Sequence, residues 1–129
     1  MTHAHAVVWI DHREAHVIRF GATGSERKVI HSKHEPQQLY HKANSIGSGR
    51  AALDKQFFNN VTAAIADASA VVITGPASAK TELVNYIHAH KPTLSKAIRS
   101  VETLDHPSEG ELLNFARKYF ESADRLVQK

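Results

Sequence analysis

Apolar and polar positions along the chain change period repeatedly, and each change predicts an element. Ala6-Val7-Val8-Trp9-Ile10 is a β-rich run that halts at the polar turn Asp11-His12-Arg13-Glu14. Ala15 to Phe20 then alternates well enough to read as a second strand, so residues 6–20 predict a hairpin. After the turn Gly21-Ala22-Thr23-Gly24-Ser25 comes a more polar run, Glu26 to His31. That third strand suits a sheet edge, where charged side chains discourage further pairing. From Ser32 to about Ser48 the periodicity is lost among Pro36, Gln37, Gln38, Asn44, Gly47 and Gly49. A loop of that length predicts either function or mobility.

Helical spacing resumes near Arg50, with Leu53, Phe57, Val61, Ala64, Ile65 and Ala68 on one stripe. The next stretch is the pivot of the pattern. Val71-Val72-Ile73-Thr74 is continuous and β-branched, as expected of a strand buried on both faces, and Gly75-Pro76 closes it. A helix follows to about His90, its stripe Ala79, Leu83, Tyr86, Ile87 and His90, with Ser78 placed to cap it and Glu82 in its first turn. Leu94 starts a short helical turn, and Ala97 to Leu104 predicts a last strand anchored by Ile98 and Val101. Ser108 and Glu111 then spell a capping box after Pro107. The helix they open carries Leu112, Ala116, Tyr119, Ala123 and Leu126, widened by Phe115 and Phe120.

The order βββ-loop-α-β-α-β-α predicts an α/β fold. An antiparallel meander followed by two parallel additions through right-handed crossovers makes one mixed five-stranded sheet with helices packed on it. The 129 residues fit a single domain, 1–129, with enough chain to bury a core. Hydrophobic residues at 42% and charged residues at 22% are ordinary for a globular protein. No run approaches the roughly 18 apolar residues of a membrane span, and the first dozen residues lack the basic start of a secretory signal. With no cysteine, disulfides and thiolate metal sites are excluded, and a cytoplasmic location is expected.

Gly75 to Thr81 reads GPASAKT and invites comparison with a phosphate loop. That loop needs GxxxxGK[ST] so that its backbone can wrap phosphates. Here it is one residue short, Ala79 stands in the glycine's place, and Pro76 removes an N–H donor. A weaker anion site at Ser78 and Lys80 stays open beside the plain reading of a capped helix.

The strand-turn signals resemble the central domain of class-1 peptide chain release factors of archaea and eukaryotes, and of the ribosome-rescue protein Pelota. They are similar also to small bacterial translational-machinery proteins grouped with them. The resemblance rests on Val8-Trp9-Ile10-Asp11 with the hairpin to Phe20, on Val72-Ile73-Thr74-Gly75-Pro76 with the following Lys80, and on Val101 to Gly110. It implies a ribonuclease-H-like fold over residues 6–121 and a role in translation. In termination factors the loop before the first helix carries Gly-Gly-Gln, which promotes ester hydrolysis. Here the corresponding place reads Ser45-Ile46-Gly47-Ser48-Gly49-Arg50, and Gln37 and Gln38 lie too early. Peptide release by that route is not expected.

Charge sharpens this. The net charge of +3 is modest, but Arg27, Lys28, Lys33, Lys42, Arg50 and Lys55 face only Glu35 and Asp54 in the same stretch. Phosphates are held by such cations, and unpaired bases stack on aromatic rings. The loop 33–50 is therefore the expected contact surface, through Lys33, His34, Tyr40, His41, Lys42, Ser48, Arg50 and Lys55. Its expected partners are the ribosome or ribosomal or transfer RNA, in a rescue, stress or hibernation role. Plain solvated surface is the bland reading. No cofactor, catalytic set or metal site is expected; His3 with His5 and His88 with His90 lack the spacing of a zinc centre. The competing reading is a degenerate hydrolase, nuclease or esterase, that uses Asp11 and nearby histidines. A third is a subunit that self-associates through a sheet edge or helix face.

Overall fold

A computed structural model describes residues 4–21, 24–32 and 48–127, with the backbone path alone given for 48–54 and 122–127. The elements are β1 (His5–Ile10), β2 (Glu14–Phe20), β3 (Ser25–His31), α1 (Ser48–Ala64), β4 (Ala70–Gly75), α2 (Ala79–His90), α3 (Pro92–Ser95), β5 (Ile98–Thr103) and α4 (Glu109–Val127). They form the expected mixed sheet in the order β3-β2-β1-β4-β5. β1 pairs antiparallel with β2, β2 antiparallel with β3, and β1 and β5 both run parallel to β4.

The centre of the sheet follows from the two apolar runs. All six residues of β4 are buried, as are the last five of β1. One face of the sheet carries Ala6, Val8, Ile10, Val17, Val71 and Ile73, packed against Phe57, Phe58 and Val61 of α1 and Leu83 and Ile87 of α2. The other carries Val7, Trp9, Ile18, Phe20, Ala70 and Val72 against Leu112, Ala116 and Phe120 of α4. A fully buried Val, Ile or Phe contributes about 1.5–3 kcal/mol, against roughly 0–1 kcal/mol for an exposed ion pair. The sandwich therefore dominates over surface pairs such as Arg19–Asp67 at 2.8 Å.

The turns show how local chemistry sets the register. Asp11 Oδ1 accepts from the backbone N–H groups of Arg13 and Glu14 at 2.8 and 2.9 Å, closing the β1–β2 hairpin. Glu14 is thus the first residue of β2 and not the last of the turn. At the far end of β4, buried Thr74 donates its hydroxyl to the Val8 carbonyl at 2.9 Å. Beyond it Gly75 lies so close to β1 that an added Cβ would sit 2.2 Å from the Ile10 carbonyl oxygen. The glycine ending β4 is required by this approach. In α4 the capping box is complete: the Ser108 N–H donates to Glu111 at 2.8 Å, and the Glu111 N–H donates to Ser108 Oγ at 3.1 Å.

Several expected details are corrected. Helix α1 stops at Ala64, so Ile65 and Ala68 are buried from a turned connection and not from the helix stripe. Ser78 makes no side-chain cap on α2, and its hydroxyl donates to Glu82 instead, at 3.2 Å. In α4 the inward position belongs to Phe120, four residues after Ala116, while Tyr119 is half-buried and donates to the Arg99 carbonyl at 3.3 Å. Val101 anchors nothing: it is 40% exposed because β5 is an edge strand beyond the helices' cover, and Ile98 is half-buried.

Gly75→Ala is expected to lower unfolding free energy by about 1–3 kcal/mol or more, because backbone cannot yield as a side chain can. Gly110→Ala, where a Cβ meets open space in the first turn of α4, is expected to raise it by about 0.4–1 kcal/mol. Urea unfolding of both variants reads the contrast.

Candidate functional site

Strand directions decide which loops share one end of the molecule. β1, β4 and β5 run together, so the β1–β2, β4–α2 and β5–α4 connections gather where these strands finish. β3 ends there too, since His31 pairs with Glu14, and the Ser32 N–H donates to the Arg13 carbonyl at 2.8 Å. In sheets of this kind ligands bind beyond the carboxyl ends of strands.

The expected contact loop leaves the sheet at this end, after Ser32. Lys33, His34, Tyr40, His41 and Lys42 lie outside the described residues. Ser48 and Arg50 fall within the first turn of α1, with side chains outside them too, and Lys55 is exposed further along that helix. Ser78 and Lys80 come together at the start of α2, but each is engaged locally. Lys80 Nζ donates to the Ala77 carbonyl at 2.6 Å, while Ser78 is bound to Glu82, whose carboxylate also meets His12 Nε2 at 3.4 Å. A carboxylate at that point works against an anion.

The residues named for hydrolysis are committed elsewhere. Asp11 holds the hairpin turn, and its neighbour His12 reaches across to Glu82. Among the described residues no group of three or more His, Asp or Glu side chains stands close enough to hold a metal ion. His88 Nδ1 lies 2.8 Å from Ser95 Oγ, and the His90 ring packs on Tyr86 with centroids 4.5 Å apart. His5, named as a partner of His3, stacks on Phe120 at 4.4 Å.

A groove on the α4 side of the sheet is the structural addition. Its volume is about 380 Å³, and it opens between β2, the edge strand β3 and the β5–α4 connection. Trp9, only 3% exposed, forms its inner wall and donates its indole N–H to the carbonyls of Leu104 and Asp105 at 3.2 and 2.9 Å. The His16 and His106 rings flank Trp9, with centroids 5.7 and 5.0 Å away. Glu14 Oε2 meets His16 Nε2 at 3.1 Å, and Glu14 Oε1 lies 3.7 Å from His31 Nδ1. Arg27 Nε and Glu109 Oε2, 2.8 Å apart, close one side from β3 to α4. The alternation of Glu14 and His16 on one strand face signals half of this set; His106 arrives from ninety residues away without any local mark.

No protein-family model matches the sequence, and no curated protein matches it. Solved structures do. The chain is similar to Pelota of Archaeoglobus fulgidus with a TM-score of 0.62 at 14% identity, over 96% of this chain and 38% of that one. It is similar to the archaeal translation termination factor aRF1 with a TM-score of 0.59 at 13% identity, over 96% and 39%. It is similar to Saccharomyces cerevisiae Dom34, a translation termination-like factor involved in RNA quality control, with a TM-score of 0.53 at 9% identity, over 86% and 31%. The chain thus spans between about a third and two fifths of the length of these structures. At such identities the likeness is one of fold: five strands and their helices have the arrangement of a release-factor- and Pelota-like central domain.

Proposed function

We propose that this chain is a non-enzymatic, RNA- or ribosome-associated translation factor, built as one cytoplasmic domain. The observation that carries the reading is the fold shared with Pelota and with a translation termination factor over nearly the whole chain. Two features of this sequence give it direction. Ser45-Ile46-Gly47-Ser48-Gly49-Arg50 leads into the first turn of α1 without a Gly-Gly-Gln, which supports recognition without hydrolysis by that loop. The segment from Lys33 to Lys55 is rich in cations, and it leaves the described fold after β3, at the end where the strands finish.

Mechanistically, the sheet fixes one end of the loop 33–50 and the helices hold the other, and Lys33, Lys42 and Arg50 meet RNA phosphates. His34, His41 and Ser48 add donors, Tyr40 offers a ring to an unpaired base, and Lys55 extends the cationic track along α1. Each phosphate contact releases condensed counterions, which makes affinity fall with salt.

Replacing Lys42 and Arg50 together by Ala is expected to weaken binding to ribosomal RNA and to reduce the salt slope by about one to two units. Stability should stay within about 0.5 kcal/mol, the range of surface substitutions. An unchanged slope in filter-binding titrations rejects the loop as the contact. Peptidyl-tRNA on ribosomes should remain intact in the presence of the protein; release of peptide rejects the non-enzymatic reading.

A further inference from the structure

The groove beside Trp9 is lined by none of the residues named for the loop, and its chemistry is selective. We propose that it receives an unpaired guanine base, stacked on the imidazole rings flanking Trp9, with N1–H and the N2 amino group donating to the Glu14 carboxylate. The RNA-borne form of this ligand rests on the translation-factor reading above; the free-nucleotide form does not.

The size is right for a base: about 380 Å³ lies at the small end of ligand pockets. Its surfaces are right for stacking, since bases pack on aromatic and histidine rings alike. The side chains of His16 and His106 are 31% and 67% exposed, so the rings offer accessible surface while Trp9 behind them is buried.

The polar rim decides which base. Arg27 Nε and Glu109 Oε2 pair at 2.8 Å and so hold the wall between β3 and α4. At the start of α4 the capping box places the Glu111 carboxylate beside the Ser108 N–H, and that negative charge works against an anion there. Glu14 is different. Its Oε2 is shared with His16, but its Oε1 stands 3.7 Å from His31, longer than a hydrogen bond. An ionised carboxylate accepts on two oxygens and donates on neither. Among the four RNA bases, guanine alone presents two adjacent N–H donors on its Watson–Crick edge. Adenine and cytosine place a ring-nitrogen acceptor beside the amino group, and uracil flanks its N–H with carbonyls. Each of these sets a lone pair against Glu14.

Trp9 is the chain's single tryptophan, so its emission reports on this groove. The full chain is titrated with GMP and AMP, and with the pentaribonucleotides UUGUU and UUAUU, while Trp9 fluorescence is followed. The expected result is that a guanine probe changes the emission and half-saturates at a concentration about tenfold below its adenine counterpart. Glu14→Gln keeps the side-chain shape and is expected to reduce that preference to about twofold or less, with the circular dichroism spectrum unchanged. His106→Ala is expected to weaken the guanine and adenine probes alike, because it removes stacking and not the edge readout. Response to UUGUU without GMP assigns the base to an RNA strand; response to GMP without UUGUU assigns a free nucleotide, and response to both shows a site that reads the base from either source.

Unmoved emission with both guanine probes overturns the proposal. So does equal saturation by guanine and adenine, or a preference that survives Glu14→Gln. The Lys42→Ala, Arg50→Ala variant separates this from the loop. If the loop reading alone fails, its salt slope stays unchanged while guanine still alters Trp9 emission; if the groove alone fails, the slope falls and the emission stays still.

Discussion

The parallel pairing of β1 with β4 is the constraint on which the rest of the molecule depends. β1 is antiparallel to β2 on one side and parallel to β4 on the other, in a register that sets Val8 beside Ile73 and Trp9 beside Thr74. Both faces of these two strands are apolar and covered, so their backbone groups find partners only in the sheet. The register is held at its far end by the Thr74 hydroxyl on Val8 and by the close passage of Gly75 past Ile10. A slip of one residue would turn every side chain of β4 to the wrong layer. The same parallel arrangement brings the connections after β1, β4 and β5 to a common end, and so decides where any site can form.

The two layers are covered unequally, and the groove follows from that. Helices α1, α2 and α3 all contribute to one face, whereas the residues of α4 form the cover of the other. A single helix about 10–12 Å across cannot blanket a five-stranded sheet. Ile18 and Phe20 of β2 are covered on this face, but its remainder on β2 and β3 includes Glu14, His16, Arg27 and His31, which remain half-buried or exposed. Trp9 binds this open area to the β5–α4 connection through two backbone carbonyls, which positions His106 above it.

Much of the architecture was legible because its determinants are local. The apolar runs of β1 and β4, the Gly75-Pro76 stop and the Ser108–Glu111 box each act over a few residues, and the structure has all of them. What failed depended on neighbours distant in the chain. Tyr119 and Phe120 are consecutive in the chain and flank the Leu112–Ala116 stripe from opposite sides; Phe120 is buried because His5 and Phe20 receive its ring, while the Tyr119 hydroxyl donates to the Arg99 carbonyl. Ser78 has the identity of a cap but stands in helical φ and ψ, from which its oxygen turns to Glu82. Val101 looks like a core residue until the strand order places it at the edge. The loop reading rests on charge composition alone and its side chains fall outside the described residues, whereas the grouping of Glu14, His16 and His106 needed the fold.

The attachment of α4 has a kinetic meaning. Its outer tether is Arg117, which lies 5.4 Å from the centre of the Phe20 ring and donates to the Gly21 carbonyl at 3.0 Å. Sub-global opening of a protein proceeds by cooperative units with the fewest buried contacts. A unit of that kind is the layer formed by α4, since its opening would uncover one face of the sheet while the opposite face keeps its helices. Amide protons of α4 would then exchange with solvent deuterium ahead of those in the central strands, and the molecule would reach its first excited state by shedding one layer and keeping the other.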